Sequence, residues 1–227
     1  INNRNEYREI ARQLILDQDF QVLMGGGRKH MTGNPSLLEQ AETAGFTVVE
    51  QAEALADLST DPAPQRLLGV FASDGMNRPY DPDLLAMTQA ALPILEANPQ
   101  GFFLMIEGGQ IDWAGHGNDF ENVVGDTVDL DALVQYLQTN LPEDTLLIVT
   151  ADHETGGLHT WPEALGLRGE DGPLAGPGGT IWGDWSSKDH TSTPVPVSAE
   201  GPGAEYFGRL MDNTEVYIGM RRALGWP

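Results

Sequence analysis

Along the chain, short apolar runs alternate with stretches in which apolar residues recur every three or four positions. This rhythm predicts a helix near residues 6 to 17, a strand at "FQVLM" (20–24), a helix near 36 to 44 and a strand at "FTVV" (46–49). It continues with "LLGVFA" (67–72), a helix near 83 to 97 behind the turn-forming "DPD", and two further runs, "FFLMIEG" (102–108) and "TLLIVTA" (145–151). The unbroken apolar character of "FFLMI" and "LLIV" is that of strands covered by helices on both faces. Alternating β and α elements predict an α/β fold, a three-layer αβα sandwich. Between the last two runs, residues 119–141 place Phe120, Val124, Val128 and Val134 at a spacing that suits one crossover helix. The right-handed crossover rule then predicts that these two strands run parallel, with their C-terminal ends on one edge.

Side chains that can bind cations cluster just beyond the two strand ends on that edge. Glu107 ends the first run, and Asp112 and His116 stand four apart after it, a spacing that shares one helix face. Asp152 and His153 take the same place after the second run. Adjacent side chains in a regular strand point to opposite faces, so both serve one site only if the strand stops there, and "ETGG" supplies a stop. His190, in "WSSKDHTSTPVPV", comes after a Gly/Pro-rich stretch at 162–187 that reads as a long loop. Taken singly, each has an ordinary structural role: a capping Asp, a surface His, a loop His. Together at the C-terminal ends of strands, where open α/β sheets bind ligands, they form a set of nitrogen and oxygen donors without sulfur. Such a set suits Zn²⁺ where histidine dominates and Mg²⁺ where only oxygen is offered. Six donors are too many for one catalytic ion with an open position, so more than one ion is expected.

Composition narrows the partners. Twelve Lys and Arg against 34 Asp and Glu give a net charge of −22, which repels nucleic acid and anionic membrane surfaces. There is no cysteine, hence no thiolate chemistry, and no run approaches the roughly 20 apolar residues of a membrane helix. The opening "INNRNEYREIARQLIL" lacks the basic region and hydrophobic core of a signal peptide. "GGGRKHM" (25–31) fits neither glycine-rich phosphate-loop pattern and reads as a tight turn. His30 and His159 receive no role, and Trp113, beside Asp112, is either a substrate-side wall or a packing residue.

Taken in order and spacing, "FFLMIEGGQIDWAGHGN", "VTADHETGG" and "SKDHTSTPVPV" resemble the metal-binding segments of alkaline phosphatases. "NNRNEYREIARQLI", "VLMGGGRKHM" and "DPDLLAMTQAALPIL" resemble the same family, so the likeness covers nearly the whole chain. The resemblance implies that Asp112, His116 and His190 hold one Zn²⁺, that Asp152 and His153 contribute to a second, and that Glu107 binds Mg²⁺. It implies that Arg4 grips phosphate oxygens and that the intact protein, periplasmic or secreted and a candidate homodimer, hydrolyses phosphate monoesters through a phosphoserine. The family's nucleophilic serine, in an Asp-Ser-Ala type motif, belongs upstream of Arg4, and "SDG" (73–75) stands in the wrong place to replace it. The expectation is therefore a C-terminal portion of one alkaline phosphatase-like domain over 1–227, with a loop insertion at about 162–187. Its N-terminal strands and nucleophile would lie in a missing N-terminal segment, and alone it would be inactive. A phosphodiesterase, sulfatase or phosphoglycerate mutase of the same superfamily, and a non-catalytic metal-binding fragment, remain open alternatives.

Overall fold

Neighbouring residues of a strand face opposite ways, and Leu67 and Leu68, both buried, accordingly sit in two different cores. They belong to the first of two compact units, residues 1–107 and 108–227, in a computed structural model that describes residues 3–58, 64–176 and 178–226. Asn2, the first residue of the family-like "NNRNEYREIARQLI", lies outside the described residues.

The first unit runs α1 (Tyr7–Arg12, continued by a π turn, Gln13–Asp17), β1 (Val22–Gly25), α2 (Leu37–Thr43), β2 (Thr47–Val49), α3 (Ala52–Asp57), β3 (Leu67–Val70) and α4 (Leu84–Glu96). The three strands form a parallel sheet in the order β1-β3-β2. Leu68 and Val70 pack with Ala11, Ile15, Leu37 and Ala41 from the α1 and α2 side. On the other face Leu67 and Val49 pack with Leu55, Met87 and Ile94 from α3 and α4. This is the αβα layering expected from continuous apolar strands. Asp83 starts α4 by accepting the Ala86 N–H at 2.7 Å, satisfying one of the amides a helix start leaves open.

"GGGRKHM" is a turn docked on backbone. The N–H groups of Gly27, Arg28 and Lys29 donate to the carbonyls of Asp74, Ala72 and Ser73 at 2.8, 3.0 and 3.0 Å. Only glycine fits at Gly26, where a Cβ would stand 1.9 Å from the Asp74 carbonyl oxygen.

One expected strand does not form. Residues 102–108 make no ladder with any described strand, and Phe103 and Met105 are 69% and 75% exposed. The parallel pairing of this run with the one near 145–151 is therefore corrected: the later strand finds an antiparallel partner instead. An apolar run records a need for burial; a strand also needs a neighbour whose amides and carbonyls match its own.

The second unit opens with α5 (Gln110–Gly117) and α6 (Phe120–Asn140), the latter capped by Asp119, which accepts the Asn122 N–H at 3.1 Å. Next come β4 (Leu147–Thr150), β5 (Glu154–Thr155), β6 (His159–Pro162), β7 (Asp171–Gly176), β8 (Gly179–Asp184), β9 (His190–Thr191), β10 (Val197–Glu200) and α7 (Asn213–Ala223). β4 pairs antiparallel with β10, β5 with β9, and β6, β8 and β7 make a small antiparallel sheet. The stretch expected as an irregular loop, 162–187, thus holds most of a sheet. Its glycines and prolines signal turns, but the alternating "TIWGDW" between them carries the central strand. Phe120, Leu133, Leu137 and Phe207 are the unit's buried large side chains, whereas Val128, on the expected stripe of α6, is 41% exposed. Among the described residues no helix is long and apolar enough to cross a membrane.

Candidate metal centre

β4 ends at Thr150, so Asp152 and His153 lie past the strand, free of its alternation. The chain turns there and forms two more ladder residues, Glu154 and Thr155, opposite Thr191 and His190. This register brings His190 back to the segment that leaves β4. On the far side, α5 presents Asp112 and His116 from one face, four residues apart. Gly115 permits the approach of β5, since a Cβ there would meet Thr155 Cβ, Cγ2 and O at 3.1–3.2 Å.

Three donor atoms converge at this junction. His116 Nε2 and His190 Nε2 are 3.2 Å apart, and each lies 3.6 Å from Asp112 Oδ1. A tetrahedral Zn²⁺ with nitrogen and oxygen ligands at about 2.0–2.1 Å has donor-to-donor edges of about 3.3–3.4 Å. The triangle matches one face of that tetrahedron. The tautomers agree. His116 Nδ1 lies 2.5 Å from the Lys188 carbonyl, which can only accept, so Nδ1 holds the proton and Nε2 offers its lone pair to the triangle. With both imidazoles neutral and protonated on Nδ1, two lone pairs and a carboxylate would face one point, an arrangement that a cation stabilises.

Asp152 and His153 form an adjoining pair. Asp152 Oδ2 is 3.3 Å from His153 Nε2, again a tetrahedral edge, and the His153 ring stacks on His190 with centroids 3.5 Å apart. Asp152 is the most open of the set, its side chain 88% exposed, while His153 is mostly covered. Five of the residues picked out by sequence, Asp112, His116, Asp152, His153 and His190, therefore gather within the second unit. Glu107 ends the first unit and Arg4 lies at its start, both exposed. Trp113, beside Asp112, is 71% exposed and so does not serve as a core packing residue.

Residues to which the sequence gives no ligand role hold this junction in place. Gly156 (φ 89°) and Gly157 (φ 58°) adopt left-handed backbone, and a Cβ on Gly156 would enter the Trp185 ring at 2.5 Å. The Ser186 hydroxyl donates to the Gly157 carbonyl at 3.1 Å, and the Gly156 N–H donates to the Asp189 carbonyl at 3.0 Å. The glycine pair that reads as a strand stop is thus the seat for the segment leading to His190. Glu154 fastens the same turn, accepting the Gly157 and Leu158 N–H groups at 3.1 and 3.3 Å and the Thr191 hydroxyl.

A parallel αβα sheet in one unit and a candidate His/carboxylate metal site in the other define a mixed α/β protein. The alkaline phosphatase family model matches residues 2–168, and the chain belongs to that family. It is 32% identical to alkaline phosphatase H of Pseudomonas aeruginosa over 89% of this chain and 52% of that protein. It is 28% identical to alkaline phosphatase 4 of Bacillus subtilis over 94% of this chain and 60% of that protein. The solved alkaline phosphatase of the Antarctic bacterium TAB5 superposes with a TM-score of 0.80 at 27% identity, covering 97% of this chain and 64% of that one. The chain therefore spans between about half and two-thirds of the length of these relatives.

Proposed function

We propose that these residues are the metal-bearing portion of a phosphate monoester hydrolase. The triangle of Asp112 Oδ1, His116 Nε2 and His190 Nε2, with edges of 3.2–3.6 Å, carries this reading. Together they would hold one Zn²⁺, Asp152 and His153 would give two ligands to a second, and Glu107 would serve Mg²⁺, which takes oxygen donors alone. When bound, such ions supply Lewis acidity and positive charge to phosphoryl oxygens. The chain's own residues do the remainder. His116, its Nδ1 proton engaged by the Lys188 carbonyl, keeps its lone pair directed at one point. The exposed edge at Asp152 leaves an approach for a phosphate group. Arg4, a planar fork of donors, would grip two phosphate oxygens, a geometry suited to a tetrahedral dianion.

On this reading the nucleophilic serine and the remaining ligands of the second Zn²⁺ come from a preceding segment of the same protein, and these 227 residues alone do not turn over substrate. The family model runs from residue 2 to residue 168, across the boundary of the two compact units, which supports one domain over that range. By likeness to the bacterial relatives the whole protein would be periplasmic or secreted and could pair as a homodimer. The test is the full-length protein on an aryl phosphate at alkaline pH, with kcat/KM compared for monoester, diester and sulfate. A preference for the monoester that is abolished by chelator and restored by Zn²⁺ with Mg²⁺ is expected. Activity indifferent to chelation, or a diester or sulfate preference, overturns the proposal.

A further inference from the structure

Thr155 sits between the two halves of the centre. Its hydroxyl donates to Asp112 Oδ1 at 2.5 Å and lies 3.1 Å from His153 Nδ1. A hydroxyl has one proton to give and a carboxylate can only accept, so the proton goes to Asp112. Toward His153 the same oxygen can then act only as acceptor. His153 must therefore carry a proton on Nδ1, and in the neutral ring Nε2 then offers its lone pair, with Asp152 Oδ2 3.3 Å away. Through its backbone, Thr155 also pairs with His190 in the short ladder. One side chain thus touches Asp112 from the first donor set, sets the tautomer of His153 in the second, and stands in register with His190.

We infer that Thr155 is a positioning residue that couples the two cation sites, holding Asp112 in the orientation and His153 in the tautomer and orientation that the sites need at once. The inference rests on the metal-centre reading. Hydrogen-bond partners behind metal ligands commonly contribute about 10–100-fold to affinity. Because Thr155 stands behind a ligand of each site, its hydroxyl is expected to act on both together, whereas a partner behind one ligand would weaken one.

The experiment uses the full-length protein, in which the second site has the further ligands that the proposed function assigns to it. Zn²⁺ affinity is read by competition with a chromophoric chelator, and ligand geometry by the visible spectrum of the Co²⁺-loaded protein. Thr155→Val keeps the shape and removes the hydroxyl; Thr155→Ser keeps the hydroxyl and removes the methyl that packs on Gly115. Expected is a loss of about 10-fold or more at both sites in the Val variant, with altered Co²⁺ bands, and near-normal binding in the Ser variant. Equal binding by wild type and Val, a loss confined to one site, or a Ser variant as weak as Val overturns the inference. A wild-type chain that binds neither ion overturns the metal-centre reading itself. Independently of any variant, long-range ¹⁵N–¹H NMR of the zinc-free wild type at about pH 8.5, above the usual imidazole range, is expected to show His153 protonated on Nδ1. The Nε2-protonated form there would sink the coupling.

Discussion

The residues that identify the centre are not those that assemble it. Asp112, His116, Asp152, His153 and His190 stand out in the sequence because their donor atoms and spacing suit cations. Thr155 and the Lys188 carbonyl, which set the tautomers of His153 and His116, do not stand out. A threonine carries no mark of the proton it will place, and a backbone carbonyl carries no sequence signal at all. The "GG" after Glu154 is legible as a stop, yet its purpose becomes visible only when Trp185 is seen against Gly156. Gly156→Ala would force a side chain into left-handed backbone and into an indole ring that cannot rotate away. A destabilisation of about 2–4 kcal/mol is expected, read from the urea midpoint at constant m-value. The same variant is expected to weaken Zn²⁺ binding, because the displaced segment carries His190.

Among the elements, the periodic ones are legible in the sequence and the neighbour-dependent ones are not. α4 and α6 appear within a residue or two of their expected bounds, since helical bonds are internal to the segment. Residues 102–108 have a strand's composition and no described partner, and the sheet from β6 to β8 hides behind turn-forming residues. Within α6 the expected stripe is partly misplaced: Leu133, 1% exposed, anchors the helix, and Val128, 41% exposed, does not. Leu133→Ala is expected to cost about 2–5 kcal/mol by chemical denaturation and Val128→Ala less than about 0.5 kcal/mol. In α1, the Arg12 guanidinium, helped by Gln13, holds the half-exposed Glu9 carboxyl at about 2. Because that carboxyl is depressed in the folded chain, its contribution is complete above its ordinary value of 4.5 and fades as pH falls toward about 2. An NMR titration of Glu9 is expected to show the low midpoint, and Arg12→Gln to move it back up toward 4.5; an unmoved midpoint would remove the ion pair as its cause.

For the whole molecule, charge dominates. A net −22 over 227 residues opposes compaction by self-repulsion, so added NaCl is expected to raise the thermal midpoint in a differential-scanning measurement, most steeply below about 0.1 M, where the Debye length exceeds about 10 Å. The same repulsion acts between molecules, and there it meets the apolar run at 102–108, with Phe103 and Met105 open to solvent. An exposed apolar segment is a site for association with its own copies. Salt should therefore act in two opposed ways, firming each chain while removing the electrostatic fence that keeps copies apart. Colloidal behaviour, and not unfolding, would then set the upper limit of useful ionic strength, and light scattering should rise there first in the wild type and later in Met105→Lys.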